Sequence, residues 1–200
     1  MIIVDGRKSE KKISDFANLE EILASVRDDD SMQGRVITDV IVNNENFSEI
    51  YPHQAEDMES ASLESVEVRS EPAADMAVKV AAEMPKVAKM MAGGATNVAR
   101  LLRESKQSEA LELFQDLLDV TRDFMGMLSH LRDRFLGGAD EDFARRTEKF
   151  SDLLSEMSEV MENEDWILLS DLLEFEFVPA CEEWRTVGEK IRAQLEAAKG

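Results

Sequence analysis

Cysteine is nearly missing from this chain. Cys181 stands alone among 200 residues, which excludes an intramolecular disulfide and a cysteine-based zinc cluster. Positive charge is scarce too: 23 Lys and Arg face 43 Asp and Glu, a formal charge of −20. Phosphate-backbone binding runs on clustered cations, so no nucleic-acid partner is expected. No apolar run approaches the roughly 18 residues of a membrane span. The amino-terminal Met1-Ile2-Ile3-Val4 turns at once to Asp5-Gly6-Arg7-Lys8, unlike a secretory signal. The expected setting is soluble, reducing and cytoplasmic. Hydrophobic residues, at 44%, are plentiful enough for a packed core and argue against disorder along the whole chain.

Composition changes near residue 71, from β-branched clusters separated by turn residues to apolar residues at helical spacing. Two domains follow, 1–71 and 72–200. In the first, Met1–Val4 is a short strand, Asp5-Gly6 a two-residue hairpin signal, and 7–13 a polar return strand. Asn18 and Glu21 have capping-box spacing ahead of Leu19, Ile22, Leu23 and Val26, one face of a short helix. Asp28-Asp29-Asp30 is a poor stop, because negative charge opposes the helix dipole there. Arg35–Val42 reads as a central strand with Val36, Val40 and Val42 on one face and Ile37 and Ile41 on the other. Asn43-Asn44-Glu45-Asn46 reads as a turn, and Val66 and Val68 mark a last strand. This order of strand, hairpin, helix, strand and strand resembles the β-grasp (ubiquitin-like) arrangement. The likeness is topological, spans about 70 residues and is carried by no motif.

From Pro72 onward a 3-4 alternation runs through four segments, at about 72–104, 108–136, 140–161 and 164–198. Pro72 suits a helix's first turn, Ser108 an N-cap, and Gly137-Gly138 a stop. Such periodicity with short connections predicts an antiparallel bundle of long helices. The fold class is therefore α+β: a small β-grasp-like amino-terminal domain followed by a predominantly helical bundle. The phase of the first bundle helix runs straight through Pro85 and Gly93-Gly94. Apolar residues around the fourth, including Ile167, Leu168, Leu172 and Phe175, predict burial on several sides. Pro179 is expected to kink it near Phe175.

Chemistry-bearing patterns are few. Gly-x-Ser-x-Gly, Walker, dinucleotide-binding and His-Glu-x-x-His motifs are all absent. His130 has Asp133 one turn on, and His53 lies in Tyr51-Pro52-His53-Gln54; neither has a ligand set around it. Asp171 and Glu174, at i and i+3, could share a hard cation such as Mg²⁺, but di-metal bundle sites use Glu-x-x-His, which is missing here. Gly93-Gly94 lacks the preceding strand of a phosphate loop. Cys181 sits among Glu174, Glu176, Glu182 and Glu183, a field that should raise its thiol pKa. No catalytic residue, metal or cofactor is expected.

Charge distribution is more informative. Residues 72–106 hold six basic and three acidic residues, while 107–200 hold ten basic and 23 acidic. The first bundle helix is thus the cationic element, and it carries Met76, Met84, Met90 and Met91. Methionine adapts its shape on binding surfaces. The expected contacts for a partner are Met84, Met90 and Met91, with Lys86 and Lys89 as the rim. The reading is a non-enzymatic cytoplasmic interaction protein (adaptor, export chaperone or assembly factor) with a protein partner; a homodimer through the bundle helices is a further option. The alternative is a carboxylate-based, metal-dependent enzyme in the bundle, and a third reading is a nucleic-acid mimic.

Overall fold

A computed structural model describes residues 1–47, 54–137 and 140–198. Tyr51, Pro52, His53 and Gly138 lie outside the described residues. The structure divides into two compact units, Met1–Met76 and Ala77–Gly200. The first family of elements comprises β1 (Ile2–Val4), β2 (Arg7–Lys8), α1 (Leu19–Arg27), β3 (Arg35–Val42), β4 (Glu45–Phe47), α2 (Gln54–Asp57) and β5 (Val66–Pro72).

The sheet order is β2-β1-β5-β3-β4, with β1 parallel to β5 and the other pairs antiparallel. That mixed order is the β-grasp arrangement. Asp5 and Gly6 both take positive φ, 47° and 76°, as a tight primed turn demands. Asn43 and Asn44 do the same at 51° and 69°. The turn is therefore only those two residues, and Glu45–Phe47 forms a strand that the sequence reading missed. Along β3 a register shift between Ile37 and Asp39 changes the parity of the strand. Ile37 consequently packs toward the core with Val40 and Val42, not opposite them. Leu19, Ile22, Val66 and Val68 are fully buried at the centre.

α1 starts as its residues dictate. Asn18 accepts from the Glu21 amide at 3.0 Å, and Glu21 reaches back one residue further than expected, to the Ala17 amide at 2.7 Å. At its end the aspartate run serves the following turn, because Asp29 accepts from both the amide and the hydroxyl of Ser31. Pro72 closes β5 and does not open a helix. Its predecessor Glu71 is already extended, as a residue before proline prefers.

The second unit is built on α3 (Ala73–Arg103) from Ala77 onward, α4 (Gln107–Phe135), α5 (Glu141–Glu162), α6 (Trp166–Leu172), a π-helical turn (Leu173–Phe177) and α7 (Val178–Ala198). α6, the π turn and α7 form one continuous rod. α3 continues through Pro85 and Gly93-Gly94, burying Ala77, Ala81, Met84, Ala88, Met91, Ala95, Val98 and Leu102. It ends in a Schellman motif: the Ser105 amide bonds the Leu102 carbonyl and the Lys106 amide that of Leu101. α4 therefore starts directly after this turn, and Lys106, not Ser108, occupies its cap position. α5 ends in the same way through Glu164 and Asp165, while Asp140 caps its start by accepting from the Asp142 and Phe143 amides.

Antiparallel packing follows from which residues meet. A Cβ added at Gly188 would lie 3.4 Å from Met84 Cβ, and Arg103 bonds Asp171, so α3 and the carboxyl-terminal rod run in opposite directions. Phe143 meets Trp184 and Phe150 meets Phe177, so α5 is antiparallel to the same rod. Among the described residues no helix is long and apolar enough to cross a membrane.

In the first unit one polar network ties the hairpin to the centre of the sheet. Asp5 accepts from the Ser70 amide and hydroxyl at 2.7 Å and from Arg35 at 3.1 Å. The Ser70 hydroxyl, more than any other group, holds the Asp5 carboxyl below the usual aspartate range. A carboxyl depressed in the folded state adds stability above its unfolded pKa and loses it as pH falls through the folded value. Thermal unfolding of wild type and Asp5→Asn should differ most at neutral pH, and the gap should close below about pH 4. A gap that persists unchanged at lower pH would show that the charge of Asp5 is not what matters.

Candidate functional site

The carboxyl-terminal rod must keep Leu169, Leu173, Phe177 and Cys181 on the core, and all four are fully buried. Steps of four overshoot a turn of 3.6 residues, so a regular α-helix would rotate this row away. The π turn, with its wider i→i+5 closure, absorbs the drift; the Val178 amide bonds the Leu173 carbonyl. Pro179, one residue later, has no amide and so donates no helical hydrogen bond back into the π turn. The expected distortion near Phe175 is thus a widened turn. Beyond it the buried register is Cys181, Trp184, Gly188, Ile191 and Leu195, with the expected Ala180 and Val187 only half-buried.

That same turn fixes which residues face out. Ile167, Leu168 and Phe175 are 65%, 42% and 67% exposed, against the expectation of burial on several sides. All three lie off the buried row of Leu169, Leu173 and Phe177, on the solvent side of the rod. Phe175 sits at the rim of a cleft between α5 and the rod, about 360 Å³ in volume. Phe150, Leu153 and Trp184, all buried, form its floor, and Pro179 and Ala180 line the rod side. Trp184 stands edge-on to Phe143 at 5.3 Å, and Phe150 stacks on Phe177 at 5.5 Å, so the floor is held by ring contacts.

The polar rim is Arg146, Lys149, Asp152, Glu156, Glu176 and Glu183. Arg146 is occupied: it donates to Asp142 at 2.8 Å and to Glu183 at 3.1 Å, clamping α5 to α7. Its hydrogen bond holds the Asp142 carboxyl below the ordinary range. Asp152, Glu156 and Glu176 have no ion-pair partner among the described residues, and Lys149 is the one rim cation likewise unpaired.

The five expected contact residues do not form one surface. Met84 and Met91 point into the core, which removes them from any face the folded bundle presents. Met90 is 72% exposed. Lys86 donates to Glu83 at 2.7 and 2.9 Å. Lys89 is exposed and adds to the field that, after the Arg185 hydrogen bond, lowers the Glu182 carboxyl pKa. Positive charge on α3 thus faces acids on the rod. Asp171 and Glu174 do share a cation, but it is the Arg103 guanidinium, which donates to both. His130 is exposed, and Asp133 is taken by Arg132. Gly93 and Gly94 lie inside a helix, where they cannot form a phosphate loop. Among the described residues no group of three or more His, Cys, Asp and Glu is placed to hold a metal ion.

Cys181 is fully buried, and its thiol pKa is pushed up to about 12. Burial is the main cause; the acidic neighbour Glu182 raises it too, as expected from the sequence, but contributes less. Two outcomes follow. Cys181 should resist alkylation in the folded protein and react on unfolding, read by mass spectrometry. Trp184→Ala should cost about 3–5 kcal/mol in denaturant unfolding, because it empties the cleft floor. Rapid native alkylation, or a Trp184→Ala variant as stable as wild type, would contradict this packing.

Comparison with known proteins adds two matches. A family described as a domain of unknown function (DUF8043) matches residues 1–71, and a second, a domain of unknown function (DUF8042), matches residues 79–187. No curated protein and no solved structure matches the chain. The second match spans more than half of the chain, so the chain belongs to the DUF8042 family.

Proposed function

We propose that this chain is a non-enzymatic, cytoplasmic protein-interaction protein of the adaptor, export-chaperone or assembly-factor class, and that its bundle carries the contact surface. The single observation behind the reading is Phe175. Its ring is two-thirds exposed at the mouth of an aromatic-floored cleft, with Ile167 and Leu168 on the same side of the rod. Aromatic residues beside a pocket, rimmed by polar groups, are what interface cores are made of. Leaving three large apolar side chains in water is unfavourable by itself, and a partner that covers them gives the arrangement a use. The acidic surface keeps the free protein soluble and selects among partners by charge.

Affinity capture from native cell extract, with wild type beside Phe175→Asp, tests the reading. A stoichiometric protein held by wild type and lost by the variant is the expected result. No partner, or one held equally by both, would contradict it.

A further inference from the structure

The geometry points to the chemistry of the partner: the cleft between α5 and the carboxyl-terminal rod takes a short, basic, amphipathic segment of another protein, seated by one bulky apolar anchor. This inference rests on the interaction reading above and adds the class of ligand.

Size limits the occupant first. The α5 side of the cleft runs from Arg146 to Glu156, about 15 Å at 1.5 Å per residue. That length suits about three turns of helix. A cavity of about 360 Å³ over Phe150, Leu153 and Trp184 accommodates one large anchor, not a broad apolar face. Phe175 and Pro179 on one wall are rigid apolar contacts for it.

Charge then selects the flanks. Asp152 and Glu156 are one helical turn apart on α5, and Glu176 stands across from them on the π turn. With Glu183 already bound to Arg146, these three carboxylates are free on both sides of the anchor site, against the single free cation Lys149. A ligand with Lys or Arg on either side of its anchor satisfies all of these groups; an acidic one meets repulsion on both walls. A second copy of this chain is a poor occupant, because it brings a net charge of −20 and the same carboxylates to the contact.

The test uses the full chain and a fluorescently labelled synthetic amphipathic helix of leucine and lysine, titrated by polarisation at physiological salt. Its leucine–glutamate counterpart is the first control. Wild type should bind the lysine peptide and not the glutamate one. Phe175→Asp, and separately Asp152→Lys with Glu176→Lys, should each weaken binding by about tenfold or more. The charge-matched control, Glu112→Lys with Asp116→Lys on the exposed side of α4, should leave it unchanged. Equal weakening by that control would show diffuse attraction to an acidic protein and overturn the proposal. Equal binding of the glutamate peptide, or no binding of either, would also overturn it. So would dimerisation of the free protein that Phe175→Asp abolishes, which would make a second copy the occupant. If Phe175-dependent capture of a native partner succeeds and the lysine peptide fails to compete, the interaction reading stands and the basic class is wrong.

Discussion

Everything in the second unit depends on how its last helical rod keeps one face on the core from Leu169 to Leu195. Leu169, Leu173, Phe177 and Cys181 are spaced by four, a spacing that a regular α-helix turns progressively away from its neighbours. The π turn at Leu173–Phe177 removes that drift and hands the rod over to the 4-3 register of Trp184, Gly188, Ile191 and Leu195. The alternative, a regular helix with the same residues, would leave Cys181 and part of the aromatic floor facing water. Burying a large apolar side chain is worth about 1.5–3 kcal/mol, so several such losses outweigh one irregular turn.

The widened turn has a second consequence, on the opposite side of the rod. It carries Phe175 outward between Glu174 and Glu176, and Pro179 prevents the turn from tightening again by the ordinary hydrogen bond. The cleft wall and the core register are therefore set by the same five residues. α3 and α5 stabilise the arrangement from two sides. Arg103 holds Asp171 and Glu174, and Arg146 holds Asp142 and Glu183. These pairs are part-exposed, so each adds little to stability. They do fix which carboxylates are spoken for and which remain free.

Much of this was legible in the sequence. Asp5-Gly6 gave the first hairpin, Asn18 and Glu21 the start of α1, and the apolar period the four bundle segments. Strand and turn signals carried the likeness to a β-grasp, though without β4. Three things were hidden, each for a physical reason. The Ile37 bulge changes side-chain parity, which a period-two reading assumes to be constant. β4 is only Glu45–Phe47, too short and polar to show alternation. Most important for the site, a helical-wheel count through 164–198 supposes 3.6 residues throughout. Apolar residues on most of the circumference of 166–181 suggested that Ile167, Leu168 and Phe175 lie inside, and the charge and methionine content of the first bundle helix pointed to Met84 and Met91 as contacts when both are core. The available signal was local: Glu174-Phe175-Glu176 brackets an aromatic ring with carboxylates, and a proline follows three residues later.

The direct test of this account is to take the extra residue out. Deleting Glu176, with Pro179→Ala so that a regular helix can close, converts the buried row to strict steps of four and three from Leu169 to Leu195. The account predicts a cooperatively folding bundle of helix content close to wild type, with Cys181 still protected from alkylation. Loss of cooperative unfolding, or a Cys181 that alkylates freely in the deletion variant, would show that the π turn does not set the register of the rod.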